Sequence, residues 1–281
     1  MNGRVAVVTD STADLGRLAA DNGIDVVPLT IRFGNEEFRD GVDLSETQFY
    51  QKLDSSTTPP ITAQPAPAAF AQRYRALLEA GADEIVSLHL SSTLSGTYNA
   101  AGIAAREVAP DRIAVVDTRT ATAGLGMLAL DAARRARAGA GADEIVAALD
   151  ADIPKVQLFA TIPSLTYLAR GGRIGNLSGL VGNVLKIVPI LTLVDGSIKE
   201  FAKVRTFQRA VDQLVDVVTA KLKAAGDVRM AVLHSMAPEL AAAVAQRISA
   251  KVAPRSMYIC AVGPTVGTHA GPGAVGATFI A

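Results

Sequence analysis

Three stretches of the chain share one pattern, an apolar strand-like run that ends in clustered hydroxyls just ahead of a helical period. They are Val5-Ala6-Val7-Val8-Thr9-Asp10-Ser11-Thr12, Ile85-Val86-Ser87-Leu88-His89-Leu90-Ser91-Ser92-Thr93-Leu94-Ser95-Gly96-Thr97 and Ile113-Ala114-Val115-Val116-Asp117-Thr118. In an open parallel sheet, ligands sit beyond the C-terminal ends of the strands, where helix N-termini offer unpaired N–H groups and a partial positive charge. Loops so placed suit a small oxyanion.

Strand and helix periods alternate through the first half, which predicts a parallel sheet covered by helices on both faces. Residues 24–33 read as a second strand. Turns at Gly34-Asn35 and Asp40-Gly41 then predict a small hairpin excursion within about 24–42. Ser45 and Gln48 have the spacing of a capping box that opens a helix through Phe49, Tyr50 and Leu53. The run 57–67 stops it; Pro59, Pro60, Pro65 and Pro67 stiffen a loop that presents Thr62 and Gln64. A helix over 68–80 ends at Gly81.

Asp152-Ile153-Pro154 marks a boundary between an N-terminal domain, 1–152, and a smaller C-terminal α/β domain, 153–281. The second domain predicts a strand at 156–162, a helix with Leu165, Leu168 and Ala169 on one side, and a hairpin turning at Asp195-Gly196. Phe207, Ala210, Val211, Leu214, Val215, Val218 and Leu222 paint one face of a further helix that Gly226 ends. A strand at 228–233, a helix at 238–252 and a last strand at 257–262 follow, leaving a Gly/Pro-rich tail around His269. The predicted class is α/β, with an N-terminal doubly wound, mostly parallel sheet.

Composition narrows the function. At 281 residues the chain is long enough for two cores, and 49% apolar with 19% charged residues is the balance of a soluble globular protein. Net charge is zero, Trp is absent and aromatics are 5%, so neither a phosphate-tracking face nor a base-stacking platform is expected and nucleic acid is excluded as a partner. The single Cys260 precludes an intrachain disulfide, three histidines form no metal-ligand spacing, and a reducing cytoplasm is the expected location. The N-terminus enters a strand at once, without the apolar core of a signal peptide. The longest apolar stretch, 177–194, is interrupted by Asn183 and Lys186, a poor membrane span that still permits transient contact with a membrane surface.

Candidate chemistry lies at the ends of the elements. Ser91, Ser92, Thr93, Ser95 and Thr97 offer five hydroxyls beside Gly96, which would let a ligand approach the backbone. Any one of them also suits a helix cap. Gly and Pro hold the path around His269, aiming its imidazole. His89 and His234 close strands and read as structural. Gly171-Gly172 reads as a helix stop, while Arg173 and Arg205 are cations that could stabilise a phosphate. No Gly-x-Ser-x-Gly elbow, Walker loop or Gly-x-Gly-x-x-Gly opening is present, so the chain is equipped to hold an anion rather than transform one. The competing reading is a serine-dependent acyl or phosphoryl transfer enzyme that pairs Ser92 with His269.

The chain resembles the DegV family, the fatty-acid-binding subunits of bacterial fatty acid kinase, over nearly its whole length. The resemblance rests on Thr9-Asp10-Ser11-Thr12-Ala13-Asp14-Leu15, Val27-Pro28-Leu29, Asp40-Gly41, Thr62-Ala63-Gln64-Pro65, Ser91 to Tyr98, Gly171-Gly172-Arg173-Ile174, Lys203-Val204-Arg205 and His269-Ala270-Gly271-Pro272-Gly273. It implies a two-domain DegV-like fold with a long-chain fatty acid between the domains and the tail 263–281 returning to that site. The carboxylate would be held by Thr62, Ser92 (Ser95 as the second choice) and His269, which a carboxylate would favour in its charged form. No cofactor is implied for this chain. A separate ATP-binding kinase subunit would phosphorylate the carboxylate, with Arg173 or Arg205 at the docking or transfer site. Ala63 stands where the family usually has Ser, and Thr118 where Asp-Ser is usual. Small residues among Leu and Val in 177–182 suggest a loosely packed cover over the acyl chain.

Overall fold

The computed structural model describes residues 4–175, 177, 187–226 and 228–281. The expected cover lies outside them apart from Leu177. The chain opens with β1 (Val5–Asp10), a 3-10 turn at Ser11–Ala13, α1 (Arg17–Asp21) and β2 (Ile24–Val27). Next come β3 (Thr30–Phe33), β4 (Glu36–Arg39), α2 (Glu46–Ser55), β5 (Ile61–Ala63) and α3 (Pro67–Glu79). Then β6 (Glu84–His89), α4 (Thr97–Val108), β7 (Ile113–Asp117), α5 (Ala123–Arg137) and α6 (Ala142–Asp152) follow.

Strands β2, β1, β6 and β7 form, in that order, a wholly parallel sheet. Val7, Val86 and Leu88 on one face pack under Leu125, Leu128 and Ile145 of α5 and α6, and Val8, Ile85 and Ile113 on the other under α3 and α4. This is the doubly wound arrangement. The capping box forms as expected, Ser45 accepting from the Gln48 N–H and Gln48 reaching back to the Ser45 N–H.

Two local expectations are corrected. Residues 24–33 are not one strand: Pro28 has no N–H to give a ladder, the Leu29 N–H goes to the Ser11 hydroxyl, and β3 leaves to head a separate antiparallel sheet ordered β4, β3, β5. The proline-rich run is not all loop either, since Ile61–Ala63 pairs with β3 as β5 and sets Thr62 in a ladder opposite Ile31.

The second half runs through β8 (Val156–Thr161), α7 (Thr166–Arg170), β9 (Val188–Val194), β10 (Ser197–Val204) and α8 (Phe207–Ala225). It ends with β11 (Arg229–His234), α9 (Pro238–Ser249), β12 (Ser256–Ala261), α10 (Pro264–Ala270) and β13 (Val275–Ile280). Its sheet has six strands in the order β10, β9, β8, β13, β11, β12, antiparallel except between β11 and β12. The tail, which the sequence leaves without a strand, supplies β13 at the centre of this sheet. Val275, Ala277 and Phe279 turn into the core under α8 and α9, whereas Gly276 and Thr278 on the opposite face interrupt the apolar pattern. Val211, Leu214, Val215, Val218 and Leu222 of α8 are buried there, each contributing about 1.5–3 kcal/mol of transfer free energy.

Helix α5 is shared by the two sheets. A Cβ at Gly124 would stand 3.2 Å from the Thr278 hydroxyl of β13, and one at Gly126 would stand 2.6 Å from the Ala13 carbonyl oxygen after β1. Farther along, Asp131 is paired with Arg134, Arg135 and, across the junction, Arg229. No helix of the described residues is long and apolar enough to cross a membrane.

Gly126→Ala gains helix propensity of about 1 kcal/mol but drives a methyl into a fixed carbonyl, a clash costing roughly 1–3 kcal/mol. The clash wins, and the thermal midpoint falls. Gly102→Ala in α4, whose Cβ would meet only the Arg106 guanidinium at 3.5 Å, raises it. Differential scanning calorimetry of the pair checks the assignment.

Candidate functional site

The face of the second sheet that α5 leaves uncovered, together with α10, β5 and the loop after β6, encloses a cavity of about 410 Å³. Its walls are mostly aliphatic, with Leu158, Leu191 and Leu193 from the sheet, Leu90 and Leu94 from the loop and Val266 from α10. That size lies within the range of small-molecule sites. One end is polar, where Thr62, Gln64, Ser95, Arg173 and His269 gather.

His269 of α10 and Thr62 of β5 meet there: Nε2 and Oγ1 share a hydrogen bond of 2.9 Å. Gly171 permits the imidazole to lie flat against the end of α7, since a Cβ on it would strike Nδ1. That nitrogen is buried without a hydrogen-bond partner. Burial, and secondarily the charge of Arg173, push the imidazole down to about 4. Without a carboxylate partner His269 is therefore neutral at pH 7. Arg173 braces the mouth, donating from Nε to the Leu94 carbonyl at 3.1 Å and from Nη1 to the Gly171 carbonyl at 2.7 Å.

The hydroxyl loop divides its labour. Ser92 does not line the cavity; its hydroxyl donates to Asp117 Oδ2 at 2.5 Å and its N–H to Asp117 Oδ1 at 3.1 Å. Thr93 donates to the Gly196 carbonyl at 2.6 Å, docking the β9–β10 turn. Only Ser95 of the five hydroxyl residues is on the cavity wall, its Oγ 2.9 Å from that of Thr97. Gly96 accommodates the Gln64 side chain, which a Cβ would displace. Arg205 is exposed and outside the cavity, so of the two candidate arginines only Arg173 is at the site. Ser92 and His269 each hydrogen-bond elsewhere, and the nucleophile–base contact that a serine enzyme requires is not formed.

An Asp–His–Ser chain does exist away from the cavity. Asp10 Oδ2 lies 3.0 Å from His89 Nδ1, and His89 Nε2 lies 2.8 Å from Ser87 Oγ, to which the Tyr74 hydroxyl donates. All four residues are sealed in the first domain, so this is a structural network and His89 is satisfied. His234 instead lines the cavity. Among the described residues, no cluster of three or more His, Cys, Asp or Glu is arranged to hold a metal ion.

A second, more polar cleft of about 490 Å³ adjoins the cavity and shares Leu94, Ser95, Arg173 and Ile198 with it. Ser92, Thr93, Ser197 and Lys199 line its outer part. The sequence names Asp117, Asp14 and Asp40 as members of motifs but assigns them no role: Asp117 takes the Ser92 hydroxyl and N–H, and Asp14 and Asp40 hold the start of α10, contacts that no period displays.

A family model described as uncharacterised protein of the DegV family matches residues 4–281. The chain belongs to the DegV family. It is 41% identical over 278 residues to a DegV domain-containing protein of Streptomyces coelicolor, an alignment covering 98% of each chain. It is also similar to protein DegV of Bacillus subtilis, at 31% identity over 97% of each. Among solved structures, a DegV family protein of Thermus thermophilus described by its fatty acid binding matches with a TM-score of 0.92, 32% identity and 99% of each chain. DegV of Bacillus subtilis, described as a fatty acid binding protein, matches with a TM-score of 0.90 and 30% identity over 99% of each.

Depression of the His269 pKa has a definite sign. The unfolded ring takes a proton near the ordinary 6.5 and the folded ring near 4, so this group's contribution to stability is lost as pH falls between those values. A pH titration of the imidazole by NMR in the ligand-free protein gives a midpoint near 4, rising part of the way back in Arg173→Gln.

Proposed function

We propose that this DegV protein binds a long-chain fatty acid in the aliphatic cavity, its carboxylate meeting Thr62, Ser95 and His269. The observation that carries the reading is a greasy chamber closed at one end by the Thr62–His269 hydrogen bond. About fifteen buried methylenes at about 0.8 kcal/mol each supply roughly 12 kcal/mol of gross transfer free energy, ample after the costs of ordering. A carboxylate withdrawn from water needs hydrogen-bond donors, and two hydroxyls with an imidazole N–H provide them beside the Arg173 charge. Its negative charge raises the imidazole pKa from the low value that burial and Arg173 impose. The fatty acid binding of the Thermus thermophilus and Bacillus subtilis relatives supports the same reading.

The chain then serves as the carrier for a separate ATP-dependent kinase. The polar cleft beside Ser95 and Arg173 gives the partner an approach to the head group while the tail stays buried. A carboxylate oxygen attacks the γ-phosphorus, ADP leaves, and an acyl phosphate remains on the carrier, with Arg173 offsetting the added charge. Docking would be cytoplasmic, with brief visits to a membrane surface to exchange lipid.

Mass spectrometry of organic extracts from the purified protein finds a long-chain acid at near-stoichiometric amounts; an extract without one overturns the reading. Thr62→Ala and His269→Ala each weaken binding of a fluorescent fatty acid by roughly 1–3 kcal/mol, the cost of leaving a buried partner unsatisfied. Ser92→Ala leaves it nearly unchanged.

A further inference from the structure

Helix α10 is seven residues long and carries His269 in its last turn. So short a helix has little stability of its own, and tertiary contacts must hold it. Gly267 seats it on α2, where a Cβ would stand 2.5 Å from the Tyr50 hydroxyl and 3.1 Å from the Phe49 ring. Its N-terminal end is gripped by two acids from separate parts of the first domain. Asp14 Oδ1 accepts the Gly263 N–H at 3.0 Å, and Asp40 Oδ2 accepts the Thr265 N–H at 3.3 Å and the Ser11 hydroxyl at 2.9 Å. A Cβ on Gly263 would lie 2.8 Å from Asp14 Oδ1 and 3.7 Å from Asp40 Oδ1, so both carboxyls crowd one backbone position.

These carboxyls are out of water. Asp40 is 4% exposed, and Asp14 Oδ2 is buried without a hydrogen-bond partner. Burial and then the charge of Asp40 hold Asp14 well above the usual carboxylate range, while burial raises Asp40 to about 6. The surroundings add to this. Glu46 of α2 and Asp10 of β1 bring further negative charge toward Asp14. The Cys260 thiol of β12 donates to the Asp14 carbonyl at 3.4 Å, and burial keeps that thiol and the hydroxyls of Tyr50 and Tyr258 neutral. Two neighbouring carboxylates in such a place cannot both ionise cheaply.

We propose that Asp14 and Asp40 are positioning residues for the head-group site: their clamp on Gly263 and Thr265 sets the place of His269 opposite Thr62. Crowded together out of water, the two carboxyls share one proton. Loss of that proton sets two like charges against each other at the start of α10, and the helix loosens. Because the clamped pair holds its protons more tightly than the released pair, clamping is complete at lower pH and fades as pH rises through the clamped values. Fatty acid binding is then coupled to a proton that never touches the ligand. The inference rests on the fatty acid reading of the cavity.

Asp14→Asn tests it, since the amide oxygen still accepts from Gly263 but no longer ionises. Binding of a fluorescent palmitate analogue and the His269 imidazole NMR signals are followed from neutral pH to about 9.5, where an ordinary carboxylate no longer titrates. Wild-type affinity falls about tenfold, equal to about 1.4 kcal/mol, across that range, while Asp14→Asn stays within about twofold. Asp14→Ala, lacking the acceptor, binds about tenfold more weakly throughout. Asp40→Asn flattens the same slope by removing the other charge, which keeps the test open if Asp14→Asn folds poorly. Equal slopes in the wild type and both Asn variants overturn the proposal. If the wild type binds no fatty acid at any pH, the functional reading fails separately, and the His269 signals alone decide the clamp: a response to alkaline pH that Asp14→Asn abolishes supports it, and no response overturns it.

Discussion

The hydrogen bond between Thr62 and His269 spans 207 residues and joins β5 to α10. Among the described residues neither side chain makes another hydrogen bond that would hold it there. The polar end of the cavity therefore exists only in the assembled molecule, and the rest of the architecture can be understood as what makes this one contact stationary. β3 fixes β5 through its ladder, Tyr50 and Phe49 fix the middle of α10, and α7 backs the imidazole through Gly171. Helix α5 holds the larger frame, with Gly124 where β13 approaches it and Gly126 where the turn after β1 does.

Hydroxyl groups at strand ends do two kinds of work here. Most of them are spent inside the protein, Ser92 on Asp117, Thr93 on Gly196 and Thr12 on Asp10, where they close loops whose backbone would otherwise be unsatisfied. A loop stiffened in this way can present one remaining hydroxyl, that of Ser95, at a fixed place on the cavity wall. In the proposed function the head group is met through this division, not through the number of hydroxyls.

Much of the fold is legible in the chain because its signals are local. The Ser45–Gln48 box, the apolar face of α8 and the strand-to-helix alternation from β6 to β7 each depend on neighbours within a few residues. What escapes is set at long range. β13 is hidden because Gly276 and Thr278 face α5 and the cavity and carry no apolar signature, and β5 because its three residues sit among prolines. Thr62 and His269 enter as site candidates through the family resemblance, and the choice between Ser92 and Ser95 turns on Asp117, twenty-five residues from Ser92, with no period to link them. The neutral state of His269 reflects burial, which a sequence does not display.

Among the described residues the cavity and the polar cleft share Leu94, Ser95, Arg173 and Ile198, which stand between the aliphatic compartment and the wet one. For an amphiphile held across such a wall the two ends have very different energetics. Withdrawing a tail of about fifteen methylenes would forfeit roughly 12 kcal/mol, whereas turning the head group toward the cleft exchanges a few hydrogen bonds for others of about 1 kcal/mol net each. Chemistry on the head group is therefore far easier with the tail in place than with the lipid released. Arg173 faces both compartments and is pinned to backbone carbonyls on both sides, Leu94 and Gly171, so its charge stays at the crossing point whichever way the head group turns.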